Sequence, residues 1–80
     1  MTKKTLGIIG GGQLGMFICI AAKRIGLRTV VYSQESDFSA KNFCDDYFLG
    51  DIQKNQNIEE FIESANFFTV ETENIPKRFL

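Results

Sequence analysis

The stretch Gly10-Gly11-Gly12-Gln13-Leu14-Gly15 constrains this chain more than any other. It matches G-x-G-x-x-G, and its flanks place it between a strand and a helix. Before it, Leu6-Gly7-Ile8-Ile9 is a short apolar run, the pattern of a buried central strand. After it the period changes. Leu14, Phe17, Ile18, Ala21, Ala22 and Ile25 fall on one face of a predicted helix. Met16, Cys19 and Ile20 make the other side nearly as apolar, so the helix is expected to be covered on more than one side. Lys23 and Arg24 suit its negative C-terminal end, and Gly26 supplies a left-handed stop. Glycines in such a turn let the backbone bend tightly and let a phosphate approach the amides, where the positive end of the helix holds the anion. The alternative is that the glycines only permit close packing of helix on strand, a purpose Gly15 alone would serve.

The remaining chain continues the alternation. Arg28 to Tyr32 is β-branched and aromatic, a second strand. Asp37 or Ser39 is expected to cap a short helix through Cys44. Asp46 to Leu49 reads as a third strand, Asp51 to Asn57 as a polar loop. Ile58, Phe61, Ile62 and Ala65 give a second short amphipathic helix, and Asn66 to Val70 a fourth strand. Pro76 is placed to open another helix at its first position. Strands alternating with helices imply a parallel sheet with right-handed crossovers. The expected fold is α/β, a Rossmann-like parallel sheet of about four strands with flanking helices.

Composition narrows the function. Nine basic and ten acidic residues in 80 leave no electrostatic footprint for nucleic acid. The longest apolar run, Leu14 to Ala22, is broken by Gly15 and falls far short of a membrane span. No leader is read in Met1-Thr2-Lys3-Lys4, so cytoplasm is the expected compartment. The chain has no histidine, which excludes Ser-His-Asp and Cys-His catalysis within it and leaves zinc poorly supplied. Cys19 and Cys44 read as structural or incidental thiols, because reactive ones need an electropositive setting.

A dinucleotide fingerprint wants an acid at the end of the second strand for the ribose hydroxyls. Here that strand ends Val31-Tyr32-Ser33-Gln34, with Glu35 late and no arginine to signal a 2′-phosphate. The turn therefore argues for a phosphate more than for NAD. At the carboxyl end of the fourth strand lies Thr69-Val70-Glu71-Thr72-Glu73-Asn74-Ile75-Pro76. In open α/β sheets ligands bind off the carboxyl edge, where both this segment and the glycine turn sit. Glu71 and Glu73 there would accept hydrogen bonds from ribose hydroxyls or an amine; the competing reading is a solvated acidic loop.

Together the two segments resemble the amino-terminal domain of the 5-(carboxyamino)imidazole ribonucleotide synthases, within the ATP-grasp ligases. Ile8 to Gly15 is close to that family's opening, Ala21 to Leu27 resembles the family's next segment, Asp45 to Asp51 fits, and Glu71 to Pro76 resembles its Glu-x-Glu-Asn-hydrophobic-Pro loop. The resemblance covers essentially residues 1–80 and implies a pre-ATP-grasp domain, with the ATP-grasp domains absent and the chain truncated. The implied reaction carboxylates 5-aminoimidazole ribonucleotide with ATP and bicarbonate in a cytoplasmic homodimer. ATP and magnesium would be held by later domains, and neither cofactor is expected on this fragment, which would carry no catalytic residue or metal ligand. The amides of Gly12, Gln13 and Leu14 would bind the substrate's 5′-phosphate, within the turn formed with Gly10, Gly11 and Gly15. Glu73, and more weakly Glu71, would contact the ribose or amine. The chain departs from many relatives in having Met16-Phe17 for Arg-Met, and Tyr32-Ser33 where an acid is common. The formate-dependent glycinamide ribonucleotide transformylases share the domain but usually carry Gly-Glu-Leu-Gly where Gly12-Gln13-Leu14-Gly15 stands, so Gln13 and Asn74 favour the carboxylase-pathway family. A dinucleotide-binding module is the other alternative. Eight phenylalanines in so short a chain also raise an expectation of self-association.

Overall fold

A computed structural model describes residues 4–10 and 12–70. Strand β1 (Thr5–Ile9) leads into helix α1 (Gln13–Arg24), followed by β2 (Arg28–Ser33), β3 (Asp46–Leu49), helix α2 (Ile58–Glu63) and β4 (Phe67–Val70). Two 3₁₀ turns, Ser39–Asn42 and Ile52–Lys54, flank β3. The strands form one parallel sheet in the order β3-β2-β1-β4. The Rossmann-like α/β expectation holds, and the order reverses between β1 and β4.

Each face of the sheet carries its own core. In a strand successive side chains alternate faces, so Ile8 and Val31 meet Cys19 and Ala40 on the α1 side. Ile9, Val30 and Tyr32 meet Ile52, Ile58 and Phe61 on the α2 side. Phe61 is fully buried and lies 5.4 Å from Tyr32, 6.4 Å from Phe48 and 5.5 Å from Phe68, ring centre to ring centre. One residue of a six-residue helix thus closes that face. Gly7 leaves the room this needs, since a β-carbon there would stand 2.7 Å from the Phe68 ring.

Helix α1 corrects the expected facing. Of the expected face, Ala22 is buried and Ile18 packs against the α1-side core, but Leu14, Phe17 and Ile25 are 56%, 58% and 75% exposed, and Gly15 and Cys19 turn to the sheet beside Ala22. Small residues win the sheet-facing position because they let the helix axis approach β1 and β2 closely. The helix ends as read. Gly26 has φ +82°, its amide donates to the Lys23 carbonyl, and Leu27 donates to the Ala22 carbonyl. These two bonds are the paired closure of a Schellman motif.

Three smaller expectations are also corrected. The segment through Cys44 is a single 3₁₀ turn entered from Phe38 with no side-chain cap, so neither Asp37 nor Ser39 serves that role. The expected loop from Asp51 contains a 3₁₀ turn, with the Asp51 carboxylate accepting from the Gln53 amide. In α2, Ile58 and Phe61 are buried but Ile62 is half exposed. The helix expected at Pro76 lies outside the described residues.

Candidate functional site

The carboxyl edge of the sheet gathers the candidates among the described residues, and β1 places the first of them. Gly10 leaves β1 at φ +112°, a conformation glycine adopts without a β-carbon penalty, and its amide donates to the Tyr32 carbonyl at 2.9 Å. This bond ties the turn to the end of β2. Gly12 then serves as N-cap of α1 in extended conformation, with no side-chain cap, and its carbonyl accepts from Met16. The first helical amides, at Gln13, Leu14 and Gly15, have no acceptor one turn earlier within the helix. Gln13 and Leu14 are exposed and Gly15 is buried. The first turn carries no acidic residue to satisfy the positive helix end, while Lys23 and Arg24 occupy the last turn. Such an end has the chemistry to hold an anion from solution.

The strand register sets what stands beside it. Ile9 pairs with Val70, so the chain leaving β4 starts next to the glycine turn. This is the point at which strand order reverses, the usual ligand crevice of an open parallel sheet. Gly11, Glu71 and Glu73 lie outside the described residues. Of the remaining candidates, Gly10, Gly12, Gln13, Leu14 and Gly15 come together as one turn and first helical turn.

The end of β2 explains the missing ribose acid. Ser33 is buried, its hydroxyl donating to the Glu35 carbonyl and accepting from the Glu35 amide. That side chain is committed to its own turn. Tyr32 points to the α2 side, where its hydroxyl donates to the Gln56 carbonyl. Burial, and then the Asp51 carboxylate, pushes the Tyr32 hydroxyl up, so it remains a donor at neutral pH. Gly50 lets the Tyr32 hydroxyl and the Gln56 backbone come this close, because a β-carbon would collide with both. Tyr32 therefore braces the glycine turn through its carbonyl and the 50–57 segment through its side chain. The sequence marks the residue only as an absent acid; its bracing depends on contacts across 24 positions of chain.

The thiols stay out of this edge chemistry. Burial pushes Cys19 up, and burial followed by the neighbouring Cys19 pushes Cys44 up to about 11. Both are poor nucleophiles at neutral pH. Among the described residues no three His, Cys, Asp or Glu side chains converge as a metal site, and no helix is long and apolar enough to cross a membrane.

Fold and edge geometry define a Rossmann-like α/β domain whose strand order reverses between β1 and β4. More narrowly, the chain belongs to the ribonucleotide synthetase preATP-grasp domain family, whose model matches residues 3–80. It is 38% identical over 76 residues to the phosphoribosylaminoimidazole carboxylase of Candida albicans, covering 94% of this chain and 13% of that protein. It is 31% identical to the N5-carboxyaminoimidazole ribonucleotide synthase of Brucella melitensis, covering 90% of this chain and 20% of that one. An N5-carboxyaminoimidazole ribonucleotide synthetase solved as its ADP complex superposes with a TM-score of 0.89 at 32% identity, over 98% of this chain and 21% of that one. The chain thus spans about a fifth or less of the relatives it matches.

Proposed function

We propose that residues 1–80 form the ribonucleotide-binding, pre-ATP-grasp part of a ligase that carboxylates 5-aminoimidazole ribonucleotide with ATP and bicarbonate. The observation that carries this reading is the glycine turn into α1, seated where β1 and β4 end side by side. Family membership and the names of the relatives supply the reaction class.

In this reading the amides of Gly12, Gln13 and Leu14 bind the 5′-phosphate, with Gly10 and Gly11 shaping the approach and Gly15 letting α1 sit close on the sheet. Glu73, with Glu71 second, contacts the ribose or the exocyclic amine. The division of labour is electrostatic: backbone donors and the helix end take the dianion, and a carboxylate takes neutral or cationic donors at the other end of the substrate. ATP and magnesium are assigned to the ATP-grasp domains of the whole ligase. The ligase would be a cytoplasmic homodimer, and residues 1–80 alone would be inactive. NAD is disfavoured because Ser33, at the ribose position after β2, is spent on Glu35.

Calorimetric titration with 5-aminoimidazole ribonucleotide, and with the same compound lacking its phosphate, tests this reading. Binding of the ribonucleotide, with at least a tenfold loss (about 1.4 kcal/mol) for the phosphate-free compound, is the expected result. Equal affinity for both would refute a phosphate role for the turn, and tighter binding of NADH would replace the reading with a dinucleotide one.

A further inference from the structure

The chain's two cysteines lie far apart in sequence, on different elements, yet both belong to one patch on the α1 side of the sheet. Cys19 is part of the buried cluster with Ile8, Val31 and Ala40, and Cys44 packs against that cluster from the segment entering β3. Thr29 joins the two. Its hydroxyl shares a hydrogen bond with the Cys19 thiol and accepts from the amide of Asp45, the residue after Cys44, at 3.3 Å. Helix α1 packs on the 3₁₀ turn Ser39–Asn42 that delivers Cys44. Backbone bonds then fix the spot: the Cys44 amide donates to the Ala40 carbonyl at 3.1 Å, and the Asp45 amide to the Thr29 carbonyl at 3.0 Å. The Cys19 thiol is near enough to act, after burial, on the ionisation of Cys44.

The two thiols differ in access. Cys19 is fully buried, whereas Cys44 is half-buried and its thiol donates to the Lys41 carbonyl at 3.6 Å in an exposed position. A small reagent from solvent therefore reaches Cys44 and not Cys19. A sulfur so reached has a second thiol behind it, on the core side.

We propose that Cys44 and Cys19 are a redox modification site, in which a small organic disulfide oxidises the pair to an internal disulfide, Cys44 entering and Cys19 resolving. The Cys44 thiolate attacks one sulfur of the small disulfide. That sulfur stays on Cys44, and its partner leaves as a thiolate and takes up the proton Cys44 released. Cys19 then gives up its proton, attacks the Cys44 sulfur and expels the second small thiol. Two protein thiols are oxidised to one disulfide, and one small disulfide is reduced to two thiols. Burial keeps both cysteines protonated at neutral pH, so closure is slow and answers to sustained rather than brief oxidation. The closed bond ties α1 to the segment entering β3 and shortens the unfolded chain's freedom, which favours the folded state. It staples the same helix whose first turn carries the candidate anion site.

Equilibration of the folded chain with glutathione disulfide and glutathione, quenched with acid and read by mass spectrometry, tests the site. The product should lack two hydrogens, carry no glutathione, and yield on non-reducing tryptic digestion peptide 5–23 joined to peptide 42–54. The effective concentration of the pair should be at least about tenfold higher in the native chain than in denaturing urea, because the fold holds the thiols together. Cys19→Ala should stop at a glutathione adduct on Cys44; where that variant fails to fold, the native-against-urea comparison on the parent decides. A glutathione adduct as the parent's end product, a disulfide between two chains, or an effective concentration no higher folded than unfolded overturns the proposal. None of these readouts depends on substrate, so failure here is distinguishable from failure of the ligase reading.

Discussion

Phe61→Ala should come close to unfolding this domain, whereas Phe17→Ala, an equal change in the longer helix, should barely register. Phe61 is fully buried and its ring meets three others, while Phe17 is 58% exposed. Truncating a buried phenylalanine costs about 3–5 kcal/mol, with the cavity adding to the lost transfer energy. A domain of 80 residues has a total stability of roughly 4–12 kcal/mol at the usual per-residue range. The loss at Phe61 therefore consumes a quarter or more of it, and relaxation offers little relief because α2 is six residues long and is itself held by Ile58 and Phe61. At Phe17 the change should stay within about 0.5 kcal/mol, the usual range for surface positions. Urea unfolding followed by far-ultraviolet circular dichroism measures both. Similar midpoints for the two variants would refute the assignment of buried faces. A Phe17→Ala loss above about 2 kcal/mol would show that α1 rests on its Leu14–Phe17 side instead.

Other consequences rest on single contacts. Tyr32→Phe removes the donor to the Gln56 carbonyl and should cost about 1–2 kcal/mol in urea unfolding, with amide exchange quickening in residues 50–57; protection equal to the parent's would contradict the bracing role. Gly26→Ala forces a side chain into φ +82° and should cost about 1 kcal/mol; a neutral effect would mean that the Schellman closure is not held. The Cys44 thiol, raised from 9.0 to about 11, favours the folded state while neutral. That contribution is complete below pH 9 and is lost as pH rises from 9 to 11, because the unfolded thiol ionises first. Cys44→Ser should flatten the alkaline fall in stability, and an unchanged pH profile would count against it.

The element order was readable because β1 and β2 are short apolar or β-branched runs, α1 and α2 carry a helical period, and the glycine turn marks the first change between them. The facing of α1 was not readable. Hydrophobicity marks Leu14, Phe17, Ile18, Ala21, Ala22 and Ile25 as one face, but close approach to the sheet sets Gly15 and Cys19 beside Ala22 and leaves Leu14, Phe17 and Ile25 exposed. Small residues pack by what they leave out, which a hydropathy pattern does not register. The 3₁₀ turn at Ile52–Lys54 escaped, and the one at Ser39–Asn42 read as a longer helix, because three or four residues hold no period. At the site, the turn was legible from its glycines. The bracing by Tyr32 was not, since it rests on a backbone carbonyl and a contact with a distant loop. Glu71 and Glu73 rest on the resemblance and lie outside the described residues.

The role proposed for the turn from β1 into α1 is to hold a ribonucleotide phosphate. Amide chemical-shift mapping of the isotope-labelled chain during titration with 5-aminoimidazole ribonucleotide, beside NADH, tests it most directly. Saturable shifts are expected at Gly12, Gln13, Leu14 and Gly15 and at Glu73 with the ribonucleotide, and none there with NADH. Shifts confined to other residues, or shifts at the turn with NADH alone, would contradict it.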